Sequence, residues 1–437
     1  MHLNTWLHAS PSLGGAPETD LQSLAGYVQA GEVLLGLLAP KPGRVPEQAA
    51  HAASIHNACR ALRRTFMDLH ADWLYGSLIN GRTTRKTLRE LAFDAAEYCP
   101  GLVPTQEQIA RERTRLQADK EGYEIDQGLF FHALLRSPQI GAHLVESALR
   151  PTARAQELIA QFRSSTRMDL GSVLIERREC AAHLTVNNSH CLNAEDDRLI
   201  DDMETAVDLA LLDDEVRVGV LRGGIMTHPR YAGRRVFSAG INLKALHAGQ
   251  ISFVDFLLRR ELGYINKIIR GLLLENAAAG AYKRTSEKPW IAAVDSFAIG
   301  GGAQLLLVFD RVIAAAGSYF SLPAAQEGIV PGFANLRLAR LLGSRKARQV
   351  ILCGRKIWAH EPDAQLLLDE VVDPTDMDAA IDRNAHQLSG PAVIANRHML
   401  NLAEEPLELF LHYASEFALI QSERLYSQDV LDKVSRA

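Results

Sequence analysis

The feature that most constrains this chain is a pair of glycine turns set sixty residues apart, at Gly240–Ile241 and Gly300–Gly301. One lies in Asp295–Gln304, DSFAIGGGAQ, behind the apolar run Pro289–Val294 and ahead of LLLVFD. A short β-rich run, a glycine turn and an apolar helix-like run predict strand, tight loop and buried helix. The other lies in Val236–Leu243, VFSAGINL, where Ser238, Ala239 and Gly240 precede an expected helix. The apolar stretch Val216–Leu221 ahead of it reads as a strand. Glycine permits positive φ and close approach to the backbone. A helix that begins at such a turn points unpaired N–H groups outward. One GGG alone reads equally well as a tight structural turn. Two such turns, each offering a backbone donor, are what a two-donor oxyanion hole requires.

Around these turns the sequence changes texture twice. Met1–Pro46 is mixed, with PKPGRVP at Pro40–Pro46 reading as a linker or turn. Ala49–Leu78 has helical spacing, with Ile55, Leu62, Phe66 and Leu69 expected on one side. Thr87–Ala96, Thr105–Asp119, Leu129–Leu135 and Ala153–Ser164 also read as helices, so residues 1–170 are expected to form a helical domain. Ser172–Glu176 and Ala181–Val186 read as strands and Asn193–Leu212 as an amphipathic helix. Ile251–Leu274 reads as another helix, and Leu400–Val434 carries aromatic and aliphatic residues at helical spacing.

The paired motifs FSAGINL and PWIAAVDSFAIGGGA resemble the crotonase superfamily, the enoyl-CoA hydratase/isomerase fold. The resemblance implies an α/β architecture. Its ββα units would spiral through residues 171–375, behind the added helical domain and ahead of a helical oligomerisation segment at 376–437. It implies that the N–H groups of Ile241 and Gly301 form the oxyanion hole, and that the chain assembles as a homo-oligomer, a trimer or a dimer of trimers. Ser238, Ala239, Gly240, Asn242, Lys244, Arg222 and His228 are the expected contacts to CoA or substrate. The basic residues Arg230, Arg234 and Arg235 stand near the same turn, where each reads equally well as solvated surface.

Composition bounds the partners. With 47% apolar and 23% charged residues, the 437-residue chain has ample material for a large core. A net charge of −5 and the lack of a dense Lys/Arg run argue against nucleic acid. The five scattered cysteines show no metal spacing and suit a reducing cytoplasm. No signal-peptide pattern or membrane-length apolar run is present, so a cytoplasmic protein without a membrane partner is expected. His70-Ala-Asp72 has the spacing of a non-haem iron pair, but i and i+2 diverge on a helix, and no metal is expected.

The chemistry turns on two absences. Hydratases of the superfamily carry glutamates three residues past the middle glycine and twenty residues beyond that. Here those positions are Gln304 and Ala324. Glutamine is no general base near neutral pH and alanine transfers no proton, which excludes the two-glutamate hydration mechanism. Glu327 reads as a remote candidate for a displaced base. Ala324, Ile329 and Pro331, facing Ile241 and Leu243 on the other turn, read either as ordinary core or as a small dry pocket. Such a pocket would suit dioxygen, since water gains no hydrogen bond there.

HPRYAGRRVFSAGINLKAL, ISFVDFLLRRELGYINKIIRGLL, AVDSFAIGGGAQLLLVFDRV and SERLYSQDVLDKV narrow the resemblance. They are similar to one branch, the (3,5-dihydroxyphenyl)acetyl-CoA 1,2-dioxygenases of glycopeptide-antibiotic biosynthesis. That resemblance implies an oxidoreductase without metal or organic cofactor, turning an arylacetyl-CoA and O2 into an arylglyoxylate and CoA. It implies substrate contacts from Glu195, Arg260 and Gln304, and an O2 pocket of Ile241, Leu243, Ala324, Ile329 and Pro331. Arg259 beside Arg260 leaves the register open by one. Two other readings stand: a CoA-thioester hydrolase or decarboxylase of the same fold, and a non-catalytic CoA-binding oligomer.

Overall fold

In the computed structural model, which describes residues 2–81, 83–273 and 285–436, the chain divides into two units. One gathers Met1–Ser147, Leu246–Asp255 and Phe410–Ala437, and the other Ala148–Ala245 and Phe256–Leu409. The sequence reading draws its boundaries elsewhere, at residues 170 and 375. The helix at residues 153–165 belongs with the second unit and residues 410–437 with the first.

The first unit is helical. Its main elements are α1 (Pro17–Gly36), α2 (Pro46–Leu78), α3 (Leu88–Tyr98) and α4 (Glu124–Arg136). Helix α2 buries Ile55, Cys59, Leu62, Phe66 and Leu74, an apolar seam at steps of three and four. Leu69, expected on that seam, is 50% exposed. The seam passes through His70 instead, whose Nε2 meets Asp20 Oδ2 at 2.7 Å. Helix α1 goes unread in the sequence because Gly26 and Gly31 lower helix propensity. Gly31 has a packing reason: a Cβ there would sit 2.8 Å from the Trp6 ring. The expected helix Thr105–Asp119 forms only over Gln106–Glu112 and a turn at Gln117–Asp119. Buried Glu112 accepts the N–H groups of Glu121 and Gly122 at 2.8 and 3.1 Å, which folds the chain back. Leu400–Val434 lies within three helices, Pro391–Glu404, Leu407–Arg424 and Gln428–Val434. Ser415 on the second of these donates to the His132 carbonyl of α4 at 3.0 Å.

The second unit holds the glycine turns. After α5 (Ala153–Ser165) come β1 (Arg167–Asp169), β2 (Val173–Arg178), β3 (Ala181–Val186), α6 (Asp197–Leu212) and β4 (Val218–Gly223). The expected helix Ile251–Leu274 is broken: α7 is Tyr264–Arg270, a separate turn spans Arg259–Leu262, and Leu274 lies outside the described residues. The break is Gly263, at φ −89°, ψ −111°. Next come β5 (Trp290–Val294), β6 (Phe297–Ile299), α8 (Gly301–Leu305), β7 (Arg311–Ala315), β8 (Tyr319–Ser321), β9 (Ile357–Trp358), β10 (Glu370–Val372) and α9 (Met377–Leu388).

Strands β1-β2-β3-β4-β5-β7-β10 form one sheet, antiparallel across the first three and parallel thereafter. Strands β9-β8-β6 form a second. The central parallel strands are apolar on both faces, as burial on both sides demands. Val220, Ile291, Ala293 and Ile313 pack against Met377, Ala380, Ile381 and Ala385 of α9. β5 and β6, joined at Asp295-Ser296, belong to different sheets, and α8 follows at once.

Candidate active site

The two glycine turns lie against each other. Ser238 bridges Ala298 in parallel, and the Ser238 carbonyl accepts the Ile299 N–H at 3.0 Å. Gly240 stands so close to the triplet that a Cβ on it would lie 3.2 Å from Gly301 N. Gly240 is at φ +86° and Gly300 at φ +54°, ψ −119°, backbone that glycine adopts without strain.

Local pairing decides which N–H groups stay free. Glu195 bridges Ile241 in parallel: its N–H donates to Gly240 O at 2.7 Å and its carbonyl accepts Asn242 N–H at 2.8 Å. A parallel bridge bonds through the residues flanking the bridging one, so the N–H of Ile241 points the other way. Gly300 N–H is taken by Ser321 O at 2.8 Å, while Gly301 is the first residue of α8, where no intrahelical acceptor exists. Ile241 and Gly301, on turns that lie against each other, thus carry N–H groups without backbone partners among the described residues.

The same bridge places the Glu195 side chain, one residue ahead of the cap of α6. Asp196 caps that helix by accepting Leu199 N–H at 3.0 Å. A Cβ on Gly301 would fall on the Glu195 carboxylate. Arg260, 3% exposed, grips that carboxylate with two hydrogen bonds, Nε to Oε2 at 3.0 Å and Nη2 to Oε1 at 2.9 Å. Its Nη2 also donates to the Gly301 carbonyl at 2.8 Å. Nη1 donates to Gln304 Oε1 at 2.6 Å and to Glu261 Oε1 at 2.9 Å. Gln304 Nε2 in turn donates to Glu261 Oε1 at 2.5 Å. The Tyr264 hydroxyl lies 3.4 Å from Glu195 Oε1.

Burial alone would push the Arg260 pKa down, but the Glu195 carboxylate, helped by Glu261, outweighs it and holds the pKa above its ordinary value, so the guanidinium stays charged. Burial pushes the Tyr264 phenol well above its usual range, against the pull of Arg260, so it stays a neutral donor. The expected trio Glu195, Arg260 and Gln304 is therefore one hydrogen-bonded cluster beside Gly301. Arg259 points elsewhere, to Glu204 Oε2 at 2.6 Å and Asp201 Oδ1 at 2.9 Å, which settles which arginine faces the turn. Glu261 and Tyr264 went unread in the sequence. Their signal was a run of polar residues, RRELGY, inside an otherwise apolar stretch.

The other expected residues divide. Ser238 Oγ accepts the Gly240 N–H at 3.0 Å, shaping the first turn. Ala239 N–H donates to Leu192 O at 3.0 Å, and Asn242 Oδ1 accepts the Ala245 N–H at 3.1 Å. Lys244 is exposed. Arg222 is committed to Asp295 at 2.6 and 2.8 Å and to Asp378. Its guanidinium braces the end of β4. His228 Nδ1 accepts the Arg230 N–H at 3.3 Å. Ala324 is 4% exposed, Pro331 is buried, and Ile329, Ile241 and Leu243 are half-buried. The Ile329 N–H donates to the Ala324 carbonyl at 3.1 Å, which holds both residues on one turn. Among the described residues no group of three or more His, Cys, Asp or Glu is arranged for a metal ion. Nor is any helix there long and apolar enough to cross a membrane.

Residues 275–409 match the family described as enoyl-CoA hydratase/isomerase. The chain is 30% identical over 230 residues to a short-chain-enoyl-CoA hydratase from Clostridium acetobutylicum, covering 52% of this chain and 79% of that protein. It is 55% identical over 426 residues to a (3,5-dihydroxyphenyl)acetyl-CoA 1,2-dioxygenase from Amycolatopsis orientalis, covering 97% of each. The chain belongs to the enoyl-CoA hydratase/isomerase family. The crystal structure of an enoyl-CoA hydratase from Mycobacterium avium subsp. paratuberculosis K-10 shares the fold, with a TM-score of 0.50 at 22% identity, covering 61% of this chain and 99% of that one. In this member Gln304, three residues past the middle glycine, is bonded to Arg260 and Glu261.

Proposed function

We propose that the protein is a cofactor- and metal-independent dioxygenase that converts (3,5-dihydroxyphenyl)acetyl-CoA and O2 to (3,5-dihydroxyphenyl)glyoxylate and CoA. The observation that carries this reading is the 55% identity to a dioxygenase of that name over 97% of both chains. The thioester carbonyl accepts hydrogen bonds from Ile241 and Gly301 N–H, which stabilise the enolate formed when Cα loses a proton. That carbanion spreads over thioester and ring, and passes one electron to O2. The radical pair recombines at Cα as a peroxide. Attack of the peroxide on the thioester carbonyl expels CoA, and O–O cleavage with loss of the remaining Cα hydrogen leaves the α-keto acid. The sum is ArCH2C(O)SCoA + O2 → ArC(O)COOH + CoASH. The substrate supplies every electron, so the balance calls for no external reductant.

Glu195, Arg260 and Gln304 line the aryl end, and Arg260 holds the Glu195 carboxylate fixed against Gly301. Ala324, Ile329, Pro331, Ile241 and Leu243 wall a dry space for O2. Exposed Met399, Leu400 and Leu402 support assembly as a homo-oligomer, a trimer or a dimer of trimers. Sedimentation at micromolar concentration should show no monomer. Turnover under ¹⁸O2 should place both labelled atoms in the arylglyoxylate. Label arriving from ¹⁸O-water in the new carboxylate instead would identify a hydrolase and reject the dioxygenase.

A further inference from the structure

A count of donors and acceptors around Arg260 leaves one oxygen over. All five guanidinium N–H groups have acceptors: two bonds to Glu195 and one each to Gly301 O, Gln304 and Glu261. Gln304 uses its oxygen for Arg260 and its nitrogen for Glu261. Tyr264 turns its hydroxyl to Glu195. Among the described residues, the one side-chain oxygen of this cluster with no donor is Glu261 Oε2, on a residue 2% exposed. Buried carboxylate oxygens are ordinarily hydrogen-bonded, and one left bare is destabilising. The cluster therefore has no guanidinium N–H left to offer a ligand and has one acceptor waiting for a donor.

The location gives that vacancy a direction. The Nε–Nη2 edge of Arg260 faces Glu195, which abuts Gly301, one of the two free backbone donors. The Nη1 end faces Glu261 and Gln304. Gly332, at φ +48°, closes on that pair so tightly that a Cβ would fall on Gln304 Nε2 and Glu261 Oε1. Gly332 follows directly on Pro331 and lies three residues beyond Ile329. Glu261 is thus at the end of the cluster turned from the thioester donor, beside the loop that walls the site.

Resting on the arylacetyl-CoA reading above, we propose that Glu261 determines specificity: its Oε2 accepts a hydrogen bond from a hydroxyl on the acyl group. An O–H donor completes the shell of the carboxylate, and an unsubstituted ring leaves it bare. A site built to bond a hydroxyl discriminates strongly against an analogue lacking it.

The test uses the full chain, wild type and Glu261→Gln, with (3,5-dihydroxyphenyl)acetyl-CoA, phenylacetyl-CoA and (3,5-difluorophenyl)acetyl-CoA. Fluorine is small and donates nothing. Wild type should prefer the dihydroxy substrate to both others. In Glu261→Gln that preference in kcat/KM should fall by about 10- to 100-fold, carried by KM of the dihydroxy thioester, with a smaller loss for phenylacetyl-CoA. Glu261→Met also removes the Oε1 that accepts from Arg260 and Gln304, so it should lower all three substrates and the dihydroxy thioester the most. A structural role would lower all three substrates together, and equal losses overturn the proposal. So does an unaltered preference. Should neither variant fold, the wild type decides: equal kcat/KM for difluoro and dihydroxy thioesters overturns it without a variant. If wild type consumes no O2 with any of the three, the dioxygenase reading fails. Glu261 is then judged by anaerobic equilibrium binding of the same thioesters, where the same ordering is expected and equal affinities overturn it.

Discussion

Arg259 and Arg260 are neighbours in sequence and enter two different ion-pair clusters. Arg259 joins Glu204 and Asp201. Lys267 follows, 2.8 Å from both Glu204 and Asp208; the Thr152 N–H donates to Asp208 Oδ2 at 2.7 Å, while Oδ1 accepts no hydrogen bond but faces the Lys267 ammonium. Three acids of α6, at steps of three and four, thus face the cations of the Arg259 turn and α7 on one side of a helix. Each of those carboxylates lies against a cation. The Arg260 cluster uses the same chemistry but stands against a glycine turn and leaves one carboxylate oxygen bare. Buried charge is common to both, so buried charge alone does not mark a site. What sets the Arg260 cluster apart is its place against the glycine turns and their N–H groups.

The sharpest way to break this contrast is at Gly301. Because a Cβ there falls on Glu195, Gly301→Ala should displace both the carboxylate and the donor N–H, with kcat falling about 10²- to 10³-fold. Wild-type turnover in a folded variant would remove the oxyanion assignment. Next, Arg260→Met leaves Glu195 and Glu261 buried without their cation and should cost about 3–5 kcal/mol in urea unfolding. Arg259, whose side chain is 27% exposed, leaves Glu204 still paired to Lys267. Arg259→Met should therefore cost about 1 kcal/mol and spare most of the activity. Equal costs would erase the distinction between the clusters.

Ala324→Leu adds bulk at a 4% exposed position and should cost roughly 1–3 kcal/mol of stability. If O2 uses that wall, the folded variant should still bind thioester and exchange Cα protons with solvent, with a raised KM for O2. An unchanged KM for O2 would move the pocket elsewhere.

The smallest effect separates cations by their partners. Burial lowers both Lys267 and Lys288, but Asp208 and Glu204 pull Lys267 back above its ordinary value. Among the described residues Lys288 donates to the Ala210 and Asp213 carbonyls, at 2.7 and 2.6 Å, and burial pushes it down to about 8. From about pH 8 up to its ordinary value near 10.5, the unfolded chain holds a proton that the folded one has lost. Stability from this group therefore rises with pH across that window. Between pH 8 and 9.5 wild type should gain about 1 kcal/mol relative to Lys288→Met. Parallel pH profiles for the two would contradict it.

The core was legible because its signals are local. The strand Ala181–Val186 and the helix ending at Leu212 follow from alternation and spacing within single segments. The turns were legible because glycine is what such backbone requires. Other features depend on tertiary contacts. Helix α1 hides behind two glycines, one of which makes room for Trp6, and Leu69 lost its place on the seam to a His70–Asp20 pair. Glu261 was missed because a carboxylate beside an arginine normally reads as a solvated pair. Its burial is set by Gln304 and Gly332, forty-three and seventy-one residues further along the chain.

The central claim is that the enolate reacts with dioxygen. CoA release from (3,5-dihydroxyphenyl)acetyl-CoA by metal-chelated enzyme, measured with an oxygen electrode in the same vessel, tests it most directly. The account predicts one O2 consumed per CoA released, no CoA release under argon, and continued exchange of Cα protons into solvent deuterium without oxygen. CoA release at the same rate under argon would contradict it.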